Sequence, residues 1–145
     1  MLASRIDIGK AIAGGILAGV VLAAFDFVSN NLLLADEWQN VAQLRNIDPA
    51  RMGGTGALVT MVVVDLALGQ LLVLTYAAIR PRFGPGVGTA AIASFFVFLS
   101  QALLLASMAG WFIAWDLYVR QAVVTLVALL AAGVVGGWVY AEEES

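Results

Sequence analysis

The sequence predicts an all-α membrane protein, an antiparallel bundle of four transmembrane helices, on three grounds. Of its 145 residues, 62% are apolar and only 12% are charged, and the mean hydropathy is +0.96. This composition excludes an ordinary soluble domain. The chain has four apolar stretches of the roughly 20 residues that a helix needs to cross a bilayer core of about 30 Å. These stretches do not alternate apolar and polar residues, as membrane β-strands would.

The four predicted spans, residues 10–34, 56–79, 87–108 and 112–140, use nearly the whole chain. A cleavable signal is the alternative for the first span, because Arg5 and Lys10 precede its apolar core. That core is longer than in a typical signal peptide, and no convincing cleavage site precedes Asp36. We therefore expect a single transmembrane domain over residues 1–145, with any site inside the bundle or at its rim.

The three connections differ in character. In residues 35–55, apolar side chains recur at helical spacing from Trp38 to Ile47, which predicts a short amphipathic helix over the bundle mouth. This helix is either a solvated cap with a few apolar anchors, or a lid or docking surface for a partner. After the second span, Pro81 removes a backbone donor, and we expect the helix to end before it. The third connection is reduced to the region of Gly110, which predicts a close hairpin.

Basic residues near the helix ends predict the orientation. Four fall on one side of the predicted bundle and two on the other: Arg5, Lys10, Arg80 and Arg82 against Arg45 and Arg51. Cytoplasmic loops carry the excess of basic residues, whereas acidic residues such as those of the tail Glu142-Glu143-Glu144 contribute little. For a bacterial inner membrane, the sequence therefore predicts both termini in the cytoplasm.

Polar residues inside these spans are the candidate functional residues, because a carboxylate in lipid needs a partner, water or a task. At about 1.5 Å per residue, each span places one polar side chain at a similar depth. Asp116 precedes Arg120 by four residues and can form an ion pair with it. The predicted cluster consists of Asp26, Asn30, Asp65, Gln101, Asp116 and Arg120.

Two interpretations of this cluster stay open. In the first, the polar side chains only hold helices together, with Arg120 offering its planar fork to one carboxylate. In the second, Asp26 and Asp65 lie close together and form a ligand or ion site, at which they share a proton or bind a cation. The predicted cluster contains three aspartates and only one arginine. This excess of acidic groups is compatible with the second interpretation.

Small residues predict how the helices pack. Gly15 and Gly19 in the first span, and Gly133 and Gly137 in the fourth, form two small-xxx-small pairs. We expect both pairs to pack against helices of the same chain. The pair in the fourth span has an alternative, which is contact with another subunit.

The chain contains no histidine and no cysteine. It therefore has no imidazole or thiolate ligand for haem, copper, zinc or an iron–sulfur cluster, and no histidine base or thiol nucleophile. The cofactor is otherwise unknown, and a pigment, a quinone or a carboxylate-bound hard cation is compatible with the sequence. A net charge of −3 gives no support to nucleic-acid binding.

Three segments carry a resemblance to a known group of proteins. They are Asp26-Phe27-x-x-Asn30, Tyr76-Ala-Ala-Ile-Arg-Pro-Arg-Phe-Gly-Pro-Gly and Gly136-Gly137-Trp-Val-Tyr140-Ala-Glu. Together they resemble small, functionally uncharacterised four-span bacterial inner-membrane proteins. The resemblance implies the four-span topology and a bacterial origin, and it implies no activity.

From its size and its glycine-lined faces, we expect a non-enzymatic accessory or scaffold subunit. Its partners would be membrane lipids and either a larger membrane complex or further copies of the chain. The alternative is a small transporter or an ion- or lipid-binding protein that uses the Asp/Arg cluster. A third hypothesis is an intramembrane enzyme in which Asp26 and Asp65 act as acid and base.

Overall fold

The structure is a computed structural model that describes residues 5–141. Its helices are α1 (Ile8–Val28), which continues into a π-helical turn (Ser29–Leu33), α2 (Ala35–Leu44), α3 (Pro49–Met52), α4 (Thr55–Phe83), α5 (Val87–Ala106) and α6 (Trp115–Ala141). Four of these, α1 with its π-helical turn, α4, α5 and α6, are long and apolar enough to cross a membrane. The all-helical fold class is thus confirmed. The acidic tail Glu142-Glu143-Glu144 lies outside the described residues.

The helix α4 ends later than predicted. We expected Pro81 to end it near residue 79, but α4 continues through Pro81 to Phe83. A proline in the last turn removes only one backbone hydrogen bond. The residue that ends the helix is Gly84, whose φ of 81° suits glycine and whose N–H donates to the Arg80 carbonyl at 2.8 Å.

The connection between α5 and α6 is also longer than the predicted close hairpin. It covers residues 107–114 and turns at Gly110, which has a φ of 85° and donates its N–H to the Ile113 carbonyl at 2.8 Å. Ile113 is buried against Leu34, Val41 and Leu117. This segment leaves the helix because Ile113 packs against α2.

Glycines let α1 and α4 approach each other at backbone distance. A Cβ atom on Gly19 would lie 2.6 Å from the Leu66 Cα and 2.9 Å from the Asp65 carbonyl oxygen. Gly69 of α4 faces both Gly15 and Gly19 in the same way. Because these glycines carry no side chains, the backbone of α4 at Asp65 and Leu66 lies directly against α1.

The predicted glycine pair of α6 is likewise used within the chain. A Cβ atom on Gly133 would collide with the Ser94 hydroxyl, and one on Gly137 would lie 3.3 Å from the Tyr76 ring. That Ser94 hydroxyl lies 2.8 Å from the carbonyl oxygens of both Ala90 and Leu129, which joins α5 to α6. Both predicted pairs therefore pack helices of this chain together.

Tyrosines join the chain segments at one end of the molecule, which we call the terminal end. The Tyr76 hydroxyl accepts a hydrogen bond from the Gly86 N–H at 3.2 Å, and the Tyr140 hydroxyl accepts one from the Asp7 N–H at 3.3 Å. The two rings meet edge to face at 6.0 Å. The start of α1, the α4–α5 turn and the end of α6 are thus fixed together.

The opposite end, which we call the α2 end, is covered by the predicted amphipathic helix. Helix α2 buries Val41 and Ala42, and Leu34 beside it packs against Ile113 and Leu117. The short helix α3 was not predicted. It begins at Asp48, whose side chain accepts a hydrogen bond from the Ala50 N–H at 2.9 Å, and has Pro49 in its first position.

Candidate functional site

A cavity of about 410 Å³ lies between the four long helices near the α2 end. Its walls are mostly apolar, with side chains such as Leu68, Phe98 and Leu105. Its polar lining residues are Asp26, Asn30, Trp38, Asp65, Gln101, Gln121 and Thr125. An apolar cavity with a few convergent polar groups is the usual form of a binding site. We call it the Asp cavity.

Two aspartates in neighbouring helices form the centre of the Asp cavity. Asp65 is only 3% exposed, and its side chain lines the cavity together with that of Asp26. The second carboxyl oxygen of Asp65, Oδ2, has no hydrogen-bond partner within the described chain. The site therefore offers a buried, unsatisfied acceptor to a ligand.

Four of the six predicted cluster residues meet at this cavity: Asp26, Asn30, Asp65 and Gln101. The structure does not bring Asp116 and Arg120 to it. Arg120 is 57% exposed on its side chain and donates from Nη1 to Glu37 Oε1 at 2.6 Å. The predicted pair between Asp116 and Arg120 is therefore wrong, because α2 supplies a carboxylate to Arg120 from outside the bundle.

Because Arg120 lies outside the Asp cavity, it does not supply a basic counter-charge to the two aspartates. No lysine or arginine is present among the residues lining the Asp cavity, which are drawn from positions 5–141. In a low-dielectric site an isolated negative charge costs several kcal/mol. A proton or a bound monovalent cation would therefore lower the cost of burying Asp26 and Asp65, because it removes one of their two negative charges.

The cavity also contains Gln121, which the sequence did not single out. Its Oε1 atom is buried without a hydrogen-bond partner in the described part of the chain, as is Nε1 of Trp38. Successive residues of a helix point about 100° apart. A prediction that places Arg120 on the inward face of the last span therefore leaves Gln121 off that face. The inward face of α6 could have been recognised from helical spacing, which places these residues on one side of the helix: Leu117, Gln121, Thr125 and Ala128.

A π-helical turn lies directly beside the aspartates. The Leu34 N–H donates to the Ser29 carbonyl at 2.8 Å, five residues back, and Asn31 Nδ2 donates to the Phe27 carbonyl at 2.9 Å. The Asn31 side chain thus competes with the helical backbone for the Phe27 carbonyl, which favours a wider turn here. Single π-helical turns inside α-helices are frequent at functional sites.

A second cavity, of about 500 Å³, lies on the other side of Asn30 and Trp38. Both residues line the two cavities at once. The second cavity extends below α2 and α3 and includes Asn31 and Gln39, of which both are exposed. The Asp cavity thus borders a more polar space at the α2 end, across two side chains.

Comparisons with known protein families, with curated proteins and with solved structures found no match to this chain. We therefore infer the function from the chemistry of the Asp cavity. Within residues 5–141, no three acidic side chains lie close enough to hold a metal ion together. Two carboxyl groups inside mostly apolar walls, with no lysine or arginine in the lining, are suited to bind a proton or a monovalent cation.

Proposed function

We propose that this chain is a small, non-enzymatic membrane transporter or binding protein that binds a monovalent cation at Asp26 and Asp65 in exchange for their shared proton. The observation that carries this proposal is the buried Asp65 carboxyl group, which has a free acceptor, a carboxyl neighbour and no basic counter-charge. The same geometry favours this alternative over a purely structural role for the two aspartates.

The exchange conserves charge. With one shared proton, the carboxyl pair carries a net charge of −1, and it carries the same net charge after the proton leaves and a monovalent cation binds. Neither state buries an additional uncompensated charge, which would cost several kcal/mol. The polar cavity beyond Asn30 and Trp38 offers the departing proton a route toward water.

The membrane arrangement that suits this function is an antiparallel bundle with both termini in the cytoplasm of a bacterium. Contact of Gly14 with Gly136 and of Gly19 with Leu66 supports the antiparallel order of neighbouring helices. Arg80 and Arg82, at the α4–α5 turn, support a cytoplasmic terminal end under the positive-inside rule. The Asp cavity would then lie in the outer half of the inner membrane.

An accessory or scaffold subunit, the first expectation from the sequence, has less support. Besides the size of the chain and its lack of redox ligands, that expectation drew on glycine-lined faces that could receive another protein. Gly15, Gly19, Gly133 and Gly137 all contact helices of their own chain. A pigment or quinone also fits the cavity less well, because neither one balances the charge of two acids.

Infrared difference spectroscopy of the reconstituted protein tests the proposed function. At constant pH, perfusion with at least one of Na⁺, K⁺ and phenethylammonium should remove the carbonyl band of a protonated carboxyl group. Before any cation is added, this band should be missing from the spectrum of Asp65→Asn. The Asp116→Asn variant should have the band and lose it as the wild type does, because Asp116 is exposed away from the cavity. An unchanged carboxyl band with all three cations would exclude the proposed exchange.

A further inference from the structure

The unsatisfied atoms of the Asp cavity specify the kind of cation that it binds. Asp65 Oδ2 and Gln121 Oε1 are buried acceptors without a donor inside the described chain. Leaving a buried acceptor unsatisfied destabilises a protein, and the cost is greater when the acceptor is charged. A ligand that donates two hydrogen bonds would satisfy both atoms.

The size and walls of the cavity argue against a bare alkali ion. Such an ion would occupy only a small part of the 410 Å³ and would make no use of the apolar walls. The walls away from the aspartates consist of apolar side chains, among them Leu68, Phe98 and Leu105. These walls fit an apolar body attached to the cationic group.

The cavity opens sideways, toward the surface that would face lipid. Val64 of α4 and Leu104 of α5 both line the cavity, and they are 48% and 74% exposed. Their positions put the opening between α4 and α5. An amphiphilic ligand dissolved in the bilayer can reach the aspartates through this opening without crossing α2.

We infer that the Asp cavity binds a protonated lipophilic amine, which enters from the lipid between α4 and α5. Its N–H groups donate to Asp65 Oδ2 and Gln121 Oε1, and its apolar body lies along Leu68, Phe98 and Leu105. This inference rests on the proposed function, to which it adds the ligand class and the point of access. A free amine fits better than an aminophospholipid, because no basic residue of the lining would balance the phosphate charge.

Calorimetric titration of the full chain in detergent tests the ligand class with matched ammonium ions. Phenethylammonium has both N–H donors and an apolar body, its N,N,N-trimethyl analogue lacks the donors, and ethylammonium lacks the aromatic body. Phenethylammonium should bind at least about tenfold more tightly than either, because the trimethyl analogue cannot donate to the buried acceptors and ethylammonium cannot bury an aromatic ring. Phosphatidylethanolamine in the micelles should not compete.

The outcomes separate the inference from the proposed function. If the trimethyl analogue or ethylammonium binds as tightly as phenethylammonium, the ligand class is wrong, while exchange at the aspartates stands. Competition by phosphatidylethanolamine would make the ligand a lipid headgroup and overturn the assignment to a free amine. If Na⁺, K⁺ and all three ammonium ions fail to bind, both proposals fail.

A variant of Gln121 tests the second acceptor independently. Gln121→Leu should weaken phenethylammonium binding about tenfold and leave binding of the trimethyl analogue unchanged. Retained binding of the analogue also shows that the variant is folded. Gln43→Leu is the control, because Gln43 is exposed on α2 and does not line the cavity. Equal loss of both ligands in Gln121→Leu would contradict the assigned hydrogen bond.

Discussion

Asp65→Asn is expected to weaken cation binding by at least about 30-fold without lowering the stability of the unliganded protein. Removing one partner of a buried charge pair typically costs 2 kcal/mol or more in binding, which corresponds to this change in affinity. Asparagine has nearly the same shape as aspartate, and its amide group can donate to Asp26. The unliganded variant also has one acid fewer to balance, so its folded state loses nothing.

The combination of these two results separates binding from helix–helix adhesion. Binding is measured by calorimetry, and stability by the midpoint of unfolding in a sodium dodecyl sulfate titration. Asp116→Asn is the matched control and should change neither quantity. If Asp65→Asn instead lowered stability strongly, the two aspartates would be structural contacts, as the first interpretation of the cluster holds.

Gly19→Ala is expected to destabilise the protein by about 2–3 kcal/mol. The added methyl group would lie 2.6 Å from the Leu66 Cα, and a backbone atom in a packed helix cannot move aside as a flexible side chain can. Overpacking of this kind typically costs 1–3 kcal/mol. Separation of α1 from α4 would also move Asp65 away from Asp26, so cation binding should weaken as well.

The control for this substitution is Gly56→Ala. Gly56 lies in the first turn of α4, and a Cβ atom there would meet no atom within 4 Å. Because alanine is a better helix former than glycine, this variant should unfold at the same detergent fraction as the wild type or a higher one. Equal stability of Gly19→Ala and Gly56→Ala would contradict the close crossing of α1 and α4.

The hydropathy pattern was sufficient to predict the four long helices. Each is apolar over about the 20 residues that a membrane-spanning helix needs, and few other structures contain so long an apolar stretch. Helix ends were predicted less well. Helix-breaking residues mark both regions, Pro81 in one and Gly110 in the other. The actual helix ends depend on the positive φ of Gly84 and on the packing of Ile113 against α2. Those contacts come from segments distant in sequence.

The candidate site was predicted in part for a similar reason. Depth along a helix follows from residue number alone, and it correctly brought Asp26, Asp65 and Gln101 to one level. The rotation of α6 about its axis does not follow from depth, and it determines whether Arg120 or Gln121 enters the bundle. The ion pair between Arg120 and Glu37 of α2 forms across 83 residues of sequence, which no local pattern signals.

The shared proton between Asp26 and Asp65 is central to the proposed exchange, and a count of released protons tests it most directly. Phenethylammonium is added to the detergent-solubilised protein in a weakly buffered solution, and proton release is compared with the calorimetric amount of ligand bound. We predict one proton released for each cation bound, and none from Asp65→Asn. Binding without proton release in the wild-type protein would contradict the exchange.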